Sequence, residues 1–207
     1  MGGKEEQQMK MPIFLIDNGH GRETAGKRSP NGKLREYAWT REVARRIVDG
    51  LKEEGETAFL LTPEDNDIPL STRVKRVQAY CRQYGAGNVV LISVHCNAAG
   101  NGENWTSANG WCAYTTPGTT RADGVAKCLY NQTEKCFPGK KIRRYANHDN
   151  PDFEAQFYIL QHTSCPAVLT ENFFMDHYDD YTYLMSEEGK AAVVKCHVKG
   201  LIEYANE

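Results

Sequence analysis

The chain has 207 residues, with 25 basic and 27 acidic side chains and a net charge of −2. That is enough length for one buried core, and it leaves no overall field to steer the protein onto nucleic acid or an anionic membrane. The early apolar stretch from Met11 to Ile16 falls far short of a signal-peptide core and of the roughly 20 residues that a spanning helix needs, so the sequence reads as a cytoplasmic chain without membrane insertion.

Residues 1–11 read as a polar, disordered or tag-like arm, and Glu6 breaks the lipidation pattern that Met1-Gly2 begins. The first strand follows at Ile13-Phe14-Leu15-Ile16 and ends in the polar turn Asp17-Asn18-Gly19-His20-Gly21. From Glu36 to about Glu54, Ala38, Val43, Ala44, Ile47, Val48 and Leu51 recur at helical steps, and Gly55 supplies a stop. Thr57 to Thr62 is a second strand, Leu70 to Tyr84 a second helix, and Val89 to Val94 a third, continuously apolar strand. This alternation implies parallel crossovers.

A Gly/Asn/Ser-rich loop spans Ala98 to Gly110, with Trp105 in its middle, and an alternating strand follows through Trp111, Ala113 and Thr115. A helix from about Thr119 to Cys136 leads into an irregular segment, Phe137 to Asn150, and regular structure resumes at Phe157 to Leu160. Pro166 opens a strand, Ala167 to Thr170, expected to break at Glu171. A closing helix begins with Ser186 as N-cap and buries Ala191, Val194, Val198 and Ile202. The sum is a single α/β domain over 12–207, with a mostly parallel twisted sheet of about six strands and helices on both faces. The seven cysteines form an odd set without a C-x-x-C pair, and they read as reduced packing residues, Cys96 included.

Three polar clusters fall where strands should end: Asn18-Gly19-His20-Gly21, His95-Cys96-Asn97 and Glu171-Asn172. In open parallel sheets ligands bind beyond such ends. Two histidines and a carboxylate form the ligand set of many catalytic zinc sites, so His20 and His95 are candidate metal ligands, although taken singly His20 reads equally well as an ordinary turn histidine and His95 reads better as a core-rim one. Glu36, in the first turn of the first helix, is the favoured carboxylate; a helix-start Glu also suits the helix dipole, and Glu23 stays open as a rival, whereas Glu42 lies more than a turn further along. Glu171 interrupts an apolar run, where a carboxylate needs either a partner, such as Arg143 or Arg144, or an acid/base role. The glycines beside His20 are expected to let the backbone turn tightly. Asn97, Trp105, Arg144 within the basic run Lys140 to Arg144, and His148 are candidate substrate contacts.

Taken together, Asp17-Asn18-Gly19-His20-Gly21, Glu36, Ser93-Val94-His95-Cys96-Asn97-Ala98 and Pro166-Ala167-Val168-Leu169-Thr170-Glu171-Asn172-Phe173 resemble the zinc-dependent N-acetylmuramoyl-L-alanine amidases of the type-3 family. The likeness runs from about Pro12 to the C-terminus. It implies zinc on His20, Glu36 and His95, a catalytic Glu171, and hydrolysis of the amide between N-acetylmuramic acid and L-alanine in peptidoglycan or muropeptides; the chain is expected to be a monomer. It also implies a route to the cell wall other than a signal peptide, as for a phage lysin. Arg22 and Asn172 depart from the family pattern, which often has glycine at both positions. Two other readings remain: a zinc carboxypeptidase or deacylase using the same ligands, and a domain that binds wall peptide without cutting it.

Overall fold

The computed structural model describes residues 12–145 and 150–207, so the predicted arm over 1–11 and His148 lie outside the described residues. Ile13–Asn18 forms β1, Glu36–Glu53 α1, Thr57–Leu60 β2, Leu70–Tyr84 α2 and Val89–Asn97 β3. Cys112–Thr115 (β4), Arg121–Cys136 (α3), Phe153–Glu154 (β5), Tyr158–Gln161 (α4), Ala167–Phe174 (β6), Tyr178–Met185 (α5) and Glu187–Ala205 (α6) follow. The strands form one sheet in the order β2-β1-β3-β6-β4-β5. β1 runs parallel to β2 and β3, β3 to β6 and β4 to β5, whereas β4 and β6 are antiparallel. Among the described residues no helix is long and apolar enough to cross a membrane.

Side chains alternate across the sheet and divide the core in two. Phe14, Ile16, Val90, Ile92, Val94 and Val168 pack under α1, α3, α5 and α6. Leu15, Leu91, Ala167 and Leu169 pack under α2 and α4. Both faces are covered, which is why the central strands are apolar throughout. The same covering removes the alternation expected around β4: Trp111, Cys112, Ala113 and Thr115 are all buried.

Several element boundaries differ from the sequence reading. β3 continues past Val94 to Asn97, and β6 does not break at Glu171 but runs on to Phe174, so that His95 and Glu171 are register partners on adjacent strands. The irregularity comes later, where the register shifts between His95 and Asn97 and Phe173 takes a φ of 63°. Backbone pairing with a covered neighbour outweighs the local cost of a polar side chain in the strand. β2 ends at Leu60, although Leu61 N still donates to Ile16 O.

In α1 the expected core residue Ala38 is exposed, and Trp39, Thr40 and Arg41 are buried in its place. In α6 the inward residues are Val193, Cys196, His197, Val198, Gly200 and Leu201, while Ala191 is exposed and Val194 and Ile202 are half-buried. Close helix contact sets that phase: a Cβ on Gly200 would stand 2.8 Å from Leu129 Cδ2 and 2.9 Å from Leu129 Cα, so α6 turns its small residue toward α3. Ser186 caps α6 as expected, accepting from Gly189 N at 3.0 Å.

Candidate metal and catalytic site

The turn after β1, the first residue of α1 and the ends of β3 and β6 meet over the sheet. Glu36 is fully buried. Its Oε1 accepts from Cys96 N at 3.0 Å and lies 3.2 Å from His95 Nδ1. Its Oε2 lies 3.5 Å from His20 Nε2 and is a buried atom without a hydrogen-bond partner. The two imidazoles stand edge to face, with centroids 5.0 Å apart, and one donor atom from each of His20, Glu36 and His95 lies within 4.8 Å of the others. The unpartnered Oε2 and the convergence of three donors fit a cation at this point.

The glycines beside His20 act by close approach rather than by turning. His20 itself takes the left-handed conformation, φ 60°, which histidine adopts more readily than most residues. A Cβ on Gly19 would stand 2.4 Å from Cε1 and Nδ1 of His95, and one on Gly21 would stand 2.1 Å from Asp67 N. The His20 carbonyl accepts from Arg41 Nη2 at 3.1 Å and from Arg73 Nη2 at 3.0 Å, and Thr40 Oγ1 donates to Gly19 O at 3.1 Å. These bonds dock α1 and α2 on the turn and hold His20 where its backbone alone would not settle.

Electrostatics follow from the burial. Desolvation lowers the His20 pKa to about 4 against the opposing pull of Glu36. Burial pushes Glu36 up, but His95 and His20 outweigh it and keep the carboxyl below its ordinary value. For His95 burial pulls down, and the facing Glu36 more than restores it, so the imidazole sits above its ordinary value. Glu171, on β6, is raised to about 7, chiefly by burial, with His95 opposing and Glu36 adding to the rise. Its Oε2 is another buried oxygen without a partner.

A cavity of about 530 Å³ opens over these groups. Its floor carries Asp17, His20, Ser93, His95 and Glu171; Lys27 stands at one side, and Ile68, Pro69, Leu70, Phe157, Tyr158 and Leu169 form an apolar wall. The rival carboxylates are engaged elsewhere, Glu42 with Lys190 at 2.8 Å and Glu23 with Asp67 N at 2.9 Å. Arg143 and Arg144 do not pair with Glu171: Arg143 lies over the Phe153 and Phe174 rings and Arg144 over Tyr130. Cys96 is buried in the core.

Asn97, Trp105 and Arg144 are not among the residues lining the cavity. Asn97 Oδ1 accepts from Ala98 N at 2.9 Å, and Trp105 is an exposed ring against Tyr178 and Tyr181. Sequence reasoning gave no role to Asp17, Ser93 or Arg73. Arg73 left a legible signal, because it occupies the inward phase of α2 with Val77 and Cys81, where an arginine needs a buried partner.

A family model described as N-acetylmuramoyl-L-alanine amidase matches residues 14–203. The chain belongs to this family. The amidase is similar to the endolysin of Bacillus phage SPP1, 27% identical over 196 residues that cover 94% of this chain and 66% of that protein. It is also similar to the N-acetylmuramoyl-L-alanine amidase CwlM of Bacillus licheniformis, 27% identical over 203 residues covering 95% of this chain and 70% of the relative. The chain thus spans about two thirds of the length of these relatives. In fold it matches the catalytic domain of the amidase CwlV from Bacillus (Paenibacillus) polymyxa, with a TM-score of 0.78 at 22% identity, covering 95% of this chain and 99% of that one. The catalytic domain of the CD27L endolysin matches with a TM-score of 0.66 at 20% identity, covering 93% of this chain and 97% of that one.

Proposed function

We propose that this amidase cleaves the amide between the lactyl group of N-acetylmuramic acid and L-alanine, in peptidoglycan or soluble muropeptides, using zinc held by His20, Glu36 and His95 and Glu171 as the acid/base group. The observation that carries this reading is the buried Glu36 carboxylate, faced by two imidazoles and left with an oxygen that accepts no hydrogen bond. Two imidazole nitrogens and a carboxylate are the donors of many catalytic zinc sites. A bound zinc ion supplies Lewis acidity, which polarises an amide carbonyl and lowers the pKa of water to about 7.

Glu171 supplies the proton transfer. With a carboxyl raised by burial to about 7, it takes a proton from the attacking water near neutral pH and gives it to the departing amine of L-alanine. Its unpartnered Oε2 faces no competing protein donor. The apolar wall of Leu70, Phe157 and Tyr158 holds bulk water away from the reacting amide.

The test is a defined muramoyl-peptide incubated with the purified protein, with release of the L-alanine-terminated peptide followed by mass spectrometry. Release should be lost with a chelator and restored by zinc. Glu171→Gln should lower the rate at least about 100-fold while zinc content stays at the wild-type level. A wild-type protein that binds no zinc would remove the three-ligand reading. Zinc binding without peptide release would move the assignment to another small amide or to wall-peptide binding.

A further inference from the structure

His95 offers its two ring nitrogens to different partners. Nδ1 lies 3.2 Å from Glu36 Oε1, and Nε2 lies 3.2 Å from Ser93 Oγ. Ser93 is fully buried, and its hydroxyl donates to Asp17 Oδ2 at 2.8 Å. The other oxygen of that carboxylate, Oδ1, accepts from Arg73 Nη1 at 2.8 Å and lies 3.0 Å from Thr62 Oγ1. Asp17 and Arg73 are themselves buried.

Counting hydrogens fixes the direction of this chain. A carboxylate paired with a guanidinium only accepts, so the one hydroxyl hydrogen of Ser93 is committed to Asp17. Ser93 Oγ therefore faces His95 as an acceptor, and Nε2 must carry the ring hydrogen. In the neutral ring Nδ1 is then left with its lone pair toward Glu36 Oε1, two acceptors opposed across 3.2 Å, an arrangement that a shared cation relieves, whether a proton in the metal-free protein or a metal ion. We propose that Asp17 and Ser93 are positioning residues that fix His95 as the Nε2–H tautomer and so reserve Nδ1 for the metal. Arg73 extends the same network to the second histidine, since its Nη2 donates to the His20 carbonyl. The proposal rests on the metal reading of the site and describes the hydrogen-bonded support that orients its ligands.

Long-range proton–nitrogen correlation spectra of protein with isotopically labelled histidine, recorded with and without zinc, read the tautomer directly. The hydrogen is expected on Nε2 in the zinc-loaded protein, with the zinc-induced change at Nδ1. A hydrogen on Nδ1, or zinc at Nε2, overturns the proposal. If the wild type binds no zinc, the metal reading fails on its own, and the tautomer is still read on the metal-free protein in alkaline buffer.

Zinc affinity measured by chelator competition separates the relay from a general structural loss. In Asp17→Asn the amide oxygen must stay on Arg73 Nη1, because an amide NH2 cannot face a guanidinium. The NH2 then points at Ser93 and turns its hydroxyl to donate to Nε2, which drives the ring hydrogen to Nδ1. Affinity should fall about 100-fold, the upper end for partners behind a metal ligand, and Ser93→Ala alone should cost about 10-fold. In the Ser93→Ala background Asp17→Asn should cost clearly less, keeping only what reaches His20 through Arg73, because the hydroxyl that transmits its effect to His95 is gone. An equal loss in both backgrounds would make Asp17 a structural ion pair only and overturn the relay. Should a variant fail to fold, the wild-type spectrum still decides.

Discussion

Gly19 lies so close to the His95 ring that a side chain there has nowhere to go. Gly19→Ala should therefore displace His95 and lower zinc affinity by at least about 10-fold, read by chelator competition, whereas Gly32→Gln, at a position with open space but a φ of 69°, should cost a little stability and leave zinc affinity unchanged. The sequence points to the G-H-G turn and to His20, Glu36, His95 and Glu171, and the fold brings these side chains together at one end of the sheet. The reason for the glycines was not legible there, because it depends on a ring from β3 and a backbone amide at Asp67, both distant in sequence. Arg73 and Asp17 escaped notice for the same reason: their pairing joins α2 to β1 across 56 positions.

Helix α3 starts at a complete capping box, with Thr120 accepting from Ala122 N at 3.2 Å and Asp123 Oδ2 accepting from Thr120 N at 3.0 Å. Thr120→Ala should cost about 1 kcal/mol in urea unfolding and leave peptide release unchanged, since α3 gives no residue to the cavity. Gly200→Ala should cost more, about 1–3 kcal/mol in the same measurement, because its Cβ would press on the Leu129 backbone as well as on its side chain. The main helices α1, α2, α3 and α6 were legible from apolar spacing and stop signals. The face of α6 was not, because glycine and histidine occupy inward positions that a search for aliphatic residues passes over. α5 escaped altogether: its inward side includes Asp180, whose Oδ2 accepts from Gly110 N at 2.8 Å and Phe174 N at 3.1 Å, so the segment reads as polar.

Across the whole molecule, His197 ties the central sheet to its outer helix, with Nε2 2.9 Å from Thr170 Oγ1 on β6 and Nδ1 2.8 Å from Val193 O on α6. It is fully buried, and desolvation lowers its pKa from 6.5 to about 4. Above 6.5 neither the folded nor the unfolded chain protonates this ring, and stability is full. As pH falls from 6.5 toward about 4 only the unfolded chain takes up the proton, so stability is lost progressively, by about 2 kcal/mol at about pH 5. Urea midpoints at neutral pH and at about pH 5 should therefore diverge in the wild type and converge in His197→Gln; an undiminished divergence in the variant would assign the acid sensitivity to other groups. The sequence by itself determined the α/β class, the order of strands and helices and the residues at the C-terminal edge of the sheet, because hydrophobic periodicity and turn chemistry act locally. The tertiary structure alone decided which faces are buried, which carboxylate meets the two imidazoles, and which buried ion pair supports them, because those outcomes depend on distant segments excluding water from one another.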